Sequence, residues 1–323
     1  MPKKHRKGMK RYLMIGVIGL ALAWAAPAMA TNIVTFDPTG TAGPGGDITI
    51  DRLDQAPGNA IALGASATST VGTNFRLLYQ SNLGTAQLGP NNVYSNGGLG
   101  HFFTFVAGFG ETVTQSSGGA SPLLAFGFNA ADPVNFFKMY NNTVAAGSNL
   151  AGTGFTAGNQ ILSGHVVGTG FISNFQVVTP SQSPNPLDQS PNGNNYPGVQ
   201  TVNGAGASTI TVVIDSFDAN FFPDLVVGGT LTFFNTNQVL PYLEIDPSAC
   251  FSSDGVTNCN QPGATLASVG PVNGFSGPNT MFQADANESF QTTRKTPEPM
   301  SLTLLGLGLL GLAGLRRIRL IKH

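Results

Sequence analysis

Two histidines, two cysteines, a solitary lysine and a scatter of carboxylates are the groups in the middle of this 323-residue chain with types suited to chemistry. His101 opens the aromatic run Phe102-Phe103-Thr104-Phe105, and His165 sits among Gly164, Val166 and Val167. No G-x-S-x-G elbow accompanies either, so nucleophilic catalysis has little to work with, and both read as strand-end or packed histidines. Asp215, Asp218, Asn220 and Asp224 form one oxygen-rich cluster, and Asp285, Asn287 and Glu288 a second. Oxygen donors on loops suit Ca²⁺. Neither cluster has a D-x-D-x-D-G register, so metal binding stays open against solvated acidic turns. A carboxylate pair could also serve a glycosidase, through a separation that sequence does not give. Gly40–Gly46 is glycine-rich but lacks the Gly-Lys-Ser/Thr ending of a phosphate loop, and reads as a turn.

Cys250 and Cys259 flank an Asp-Gly turn, with no histidine or second cysteine pair nearby in sequence. Outside the cytoplasm such a pair reads as a disulfide rather than a metal site. Lys138 is the only lysine between 31 and 294 and lies in the aromatic stretch Asn135–Tyr140. Its two readings are snorkelling from a sheet edge and a covalent cross-link to an Asn or Asp.

The segments that would carry these groups out of the cell lie at the two ends. Lys3, Lys4, Arg6, Lys7, Lys10 and Arg11 precede an apolar run from Tyr12 to Ala26, and Ala28-Met29-Ala30 follows. That order predicts a signal peptide over 1–30, cut by signal peptidase after Ala30. Pro297-Glu298-Pro299 leads into apolar Met300–Leu315, and Arg316, Arg317 and Arg319 close it. Sixteen residues give about 24 Å of helix, enough for a thin transmembrane span with snorkelling arginines. Positive flanks at both ends place everything between them outside the inner membrane.

The Pro297-Glu298-Pro299 motif, the Leu/Gly helix and the arginine cluster with Arg316 and Arg317 resemble the PEP-CTERM sorting signal. The resemblance covers 297–323. It implies transient inner-membrane insertion and processing by an exosortase, a membrane-embedded cysteine transpeptidase.

Between the ends, residues 31–295 hold five basic and fifteen acidic residues, a net charge near −10. An acidic, charge-poor chain offers no basic stripe to nucleic acid. Valine, isoleucine, threonine and phenylalanine recur in short runs bounded by Gly, Asn, Pro or Ser. These predict strands at Ile48–Leu53, Phe75–Gln80, Phe102–Ala107, Leu123–Asn129, Asn135–Tyr140, Ile161–Val167, Phe171–Val178, Thr209–Asp215 and Leu225–Phe234. Alternation is clearest in Ser208–Asp215, where Ile210, Val212 and Ile214 share a face. The Gly-Thr-Gly-Phe pairs at 152 and 168 mark turns and bulges. Residues 181–207 read as a Pro/Asn/Gly-rich loop inserted in one sandwich.

The predicted organisation is a signal helix (1–30), an all-β antiparallel sandwich or jelly-roll-like domain (31–295) and a sorting tail with a transmembrane helix (296–323). Phe36-Asp37-Pro38-Thr39-Gly40, Ala56–Ala60, Leu240–Pro247 and Ala284–Phe290 are similar to segments of flocculation-associated PEP-CTERM proteins. That likeness implies a non-catalytic, cofactor-free surface or matrix protein that promotes floc or biofilm formation with exopolysaccharide. The competing classes are a secreted carbohydrate-active enzyme and a self-assembling structural surface protein.

Overall fold

The computed structural model describes residues 33–41, 46–119, 121–179, 184–259 and 267–291. Ala28, Ala30, Pro297, Glu298, Pro299, Arg316 and Arg317 lie outside them, as do both terminal helices expected from the sequence.

Among the described residues every regular element other than the short 3-10 turns Gly98–Gly100 and Ala267–Val269 is a strand. The first are β1 (Val34–Phe36), β2 (Ile48–Ile50), β3 (Arg52–Gln55), β4 (Gly58–Leu63), β5 (Asn74–Leu88) and β6 (Asn91–Ser95). There follow β7 (Phe102–Ser116), β8 (Leu123–Phe128), β9 (Phe136–Asn142) and β10 (Asn159–Thr179). After the short β11 (Asn185–Pro186) and β12 (Gln200–Thr201) come the long β13 (Asn203–Phe217) and β14 (Thr230–Leu240). The hairpin β15 (Cys250–Ser253) and β16 (Val256–Cys259), then β17 (Val272–Asn273) and β18 (Asn279–Gln291), complete the set. Among the described residues no helix is long and apolar enough to cross a membrane.

The main sheet is antiparallel throughout and closes on itself. Its ladder runs β4–β5–β7–β8–β10–β13–β14–β18 and returns from β18 to β4. β3 continues the slot of β4, pairing with the same two neighbours, and β9 likewise continues the slot of β8. Pro57 interrupts the first of these slots and Pro133 stands in the gap of the second, as expected where a ladder donor is missing. Eight slots in chain order, each beside the next, make an up-and-down barrel. This departs from the expected sandwich or jelly roll, because β18 hydrogen-bonds β4 and so removes both edges.

Side-chain alternation sets what the barrel encloses. Along β13, Ile210, Val212 and Ile214 are buried while Thr209 and Thr211 are half-buried and Asp215 is exposed. Apolar inside and polar outside is the reverse of a lipid-embedded barrel. One end is filled by aromatic rings: Phe36 lies 5.1 Å from Phe222 and 5.3 Å from Phe103, and Phe222 lies 5.7 Å from Phe290. Gly40 permits this closure, since its φ is +62° and any side chain there would strike the Phe221 ring.

Strands from both sides of the 184–202 segment belong to this one sheet and one apolar core. The two predicted strands at 161–167 and 171–178 are a single strand, β10, with a register shift between Val167 and Ile172 at the second Gly-Thr-Gly-Phe. Leu225–Gly229 is a turn with Gly228 at φ +81°, so β14 begins later than expected.

Candidate functional site

Each residue singled out from the sequence has a definite place. Cys250 and Cys259 stand directly opposite in the β15–β16 hairpin with their sulfurs at bonding distance. Lys138 on β9 reaches the hairpin tip, its Nζ lying 2.5 Å from Asp254 Oδ1, with both side chains partly open to water. His101 Nδ1 lies 3.2 Å from Asn141 Oδ1. His165 Nδ1 is 2.8 Å from Asp215 Oδ1 on the open outer face of β10 and β13, and the nearby Ser163 hydroxyl is taken by Ser216 at 2.7 Å.

The two oxygen-rich clusters do not converge. Asp215 goes to His165, Asp218 accepts from the Asn220 backbone N–H, and Asp224 accepts from Thr35. Strand alternation separates the second cluster, turning Asp285 and Asn287 to one side of β18 and Glu288 to the other. Among the described residues no three or more His, Cys, Asp and Glu side chains are grouped to hold a metal.

Two carboxyls are sealed within the barrel. Glu288 is fully buried, and its Oε1 accepts from Gln55 Nε2. Gln55 Oε1 accepts from the Tyr79 hydroxyl at 2.8 Å and from Ser81. Burial pushes the Glu288 carboxyl well above the usual range, outweighing the Gln55 hydrogen bond. Glu111 on β7 is 3% exposed, and burial raises it to about 8 against a lowering hydrogen bond from Ser173. Its Oε1 has no partner and borders a small apolar pocket. Phe75, Leu124, Phe126, Phe175 and Phe282 line this cavity at the end of the barrel away from the aromatic plug. A neutral carboxylic acid is the form such surroundings favour.

Outside the barrel, buried amides hold a second layer of chain. Asn59 on β4, fully buried, accepts from the Ser248 N–H at 2.8 Å and donates to the Asp246 carbonyl at 3.2 Å. Gln80 on β5 donates to Ser248 Oγ and to the Cys250 carbonyl at 2.9 and 2.8 Å. Gln283 on β18 accepts from the Leu243 and Glu244 N–H groups at 3.2 and 2.9 Å. Asn59 thereby holds the 240–247 segment, and Gln55 holds Glu288. The aromatic residues, in contrast, are spent on packing. Phe275 alone is exposed among aromatics whose side chains are described.

The roles of Glu111, Asn59, Gln80 and Gln283 leave no mark in the sequence, because an isolated polar residue in a strand carries no signal of which way it faces. No family model, curated protein or solved structure matches the chain.

Proposed function

We propose that the protein is an exported, non-catalytic component of the cell surface or extracellular matrix that promotes aggregation with exopolysaccharide. The observation that carries the export half is the opposed Cys250–Cys259 pair, a bond that persists in oxidising compartments. The basic-flanked ends with Pro297-Glu298-Pro299 supply the route, through signal peptidase, transient membrane insertion and an exosortase-type enzyme. The cohesive half rests on the flocculation-type segments and on a closed barrel whose two most strongly perturbed carboxyls are buried. With the rings committed to the core, polysaccharide contact falls to outward amides and hydroxyls.

The test is deletion of 296–323, followed by cell fractionation, thiol titration and a flocculation assay. The proposal expects the truncated chain to miss the surface and to leave cells dispersed, with Cys250 and Cys259 oxidised in the wild type. Restoration of flocs by the truncated chain would overturn it, as would recovery of the wild type from cytosol with both thiols reduced.

A further inference from the structure

Asp188-Gln189-Ser190-Pro191-Asn192-Gly193 carries oxygen side chains at alternate positions before a glycine with φ +103°. An EF-hand loop starts with the same spacing, with Asp or Asn where Ser190 stands. The acid that would close such a loop at its twelfth position is absent, since Val199 stands there, buried. The fold supplies an acid from elsewhere. Asp246, more than fifty residues onward, accepts from Ser190 Oγ at 2.9 Å, Asn195 Nδ2 at 2.8 Å and Asn192 Nδ2 at 3.1 Å. Asp188 accepts from Asn195 Nδ2 at 3.0 Å, so the Asn195 amide bridges the two carboxylates.

The charge balance is the anomaly. Asp188 is 2% exposed, and among the described residues no ion pair reaches it or Asp246. The described cations are engaged elsewhere: Arg76 with Asp132, Lys138 with Asp254 and Arg52 with Gln87. Asp188 also accepts from the Ser190 and Asn195 backbone N–H groups at 3.0 and 2.8 Å, so both carboxylates are hydrogen-bonded while no cation balances their charge. A second, separate sign comes from the tyrosines. Tyr196 and Tyr242 are 2% and 0% exposed, and neither hydroxyl has a hydrogen-bond partner. The Tyr196 hydroxyl lies within electrostatic reach of both carboxylates, and the Tyr242 hydroxyl within reach of Asp188. Tyr242 pairs through its backbone with Asp188 itself.

We infer that Asp188, Ser190, Asn192, Asn195 and Asp246 form a calcium site, beside the two buried tyrosine hydroxyls that lack partners. Hard oxygen donors with no His or Cys select Ca²⁺ or Mg²⁺ over transition metals. Neutral amide and hydroxyl oxygens beside two carboxylates suit the larger ion. A half-turn of the Asn192 or Asn195 amide puts oxygen where nitrogen now lies, converting a carboxylate clasp into a ligand set. Two carboxylates place the affinity at the weak end, about 0.1–1 mM, as in extracellular modules. The ion neutralises the clasp and fixes the 188–196 loop to the 240–250 segment.

Terbium alone tests this on the chelator-treated full chain, because Tyr196 and Tyr242 lie where they would sensitise its emission. Saturable emission from the wild type, displaced by Ca²⁺ and weakened about tenfold or more in D246N, is the expected result. Ca²⁺, with Mg²⁺ much less effective, should also raise the melting temperature of the wild type. Asn192 is exposed, so N192A serves the same comparison if D246N does not fold. Absence of sensitised emission in the wild type, or emission undiminished in the folded variants, overturns the assignment.

Discussion

Replacing Glu111 with glutamine should flatten the pH dependence that one enclosed carboxyl imposes on stability. Burial lifts this group from 4.5 to about 8, so the folded protein keeps a proton that the unfolded chain has released. The sign follows from linkage: stability is complete below the unfolded pKa and is lost as pH rises through the folded one. One extra proton on the folded state costs about 1.4 kcal/mol per pH unit across that window. The whole interval, from 4.5 to about 8, therefore amounts to about 5 kcal/mol, a large part of a domain's stability. Glutamine keeps the shape and cannot ionise. Glu288, also raised, contributes its own slope to both proteins, so the difference between them isolates Glu111. Urea unfolding of wild type and E111Q at steps from about pH 5 to about pH 8 measures it. E111Q should gain steadily on the wild type as pH rises and hold its advantage above the folded pKa. Parallel stability curves over that range would refute the reasoning.

Two other outcomes are expected. Replacing Cys250 and Cys259 together with serine should cost about 2–3 kcal/mol by the chain-entropy model, seen as a lower urea midpoint that reductant no longer changes. Asn59→Ala strips a fully buried amide and leaves the Ser248 N–H without its acceptor, so a loss of about 1–3 kcal/mol is expected. In N59A the loss should come with faster amide exchange in 241–250, and unchanged exchange there would mean that Asn59 does not hold the layer.

Local pattern was enough to identify the strands built from β-branched and aromatic residues. Ile210, Val212 and Ile214 alternate so regularly that β13 and its buried face could be read directly, and all three are in the core. β18 escaped because Asn279–Gln291 is rich in Ala, Asp, Asn and Gln, residues that do not favour a strand by themselves. It is a strand because β14 and β4 lie on either side of it. In β10 the glycines at 168 and 170 looked like an end, whereas pairing with β13 carries the chain through them as a bulge.

What the linear order of residues determined by itself was class: an acidic middle, a close cysteine pair and strand-forming runs are all local properties, and the proposal of export rests on the equally local pattern of positive-flanked apolar ends. Tertiary structure decided closure, and closure decided the rest. The pairing of β4 with β18 joins residues more than two hundred positions apart, a contact whose stability comes from the shared core and not from either strand. The same long-range packing buries Glu111 with one carboxyl oxygen unpartnered and brings Asp246 to Asp188. Burial and charge spacing are properties of three-dimensional neighbours, so these carboxyls acquire their character only when the barrel closes.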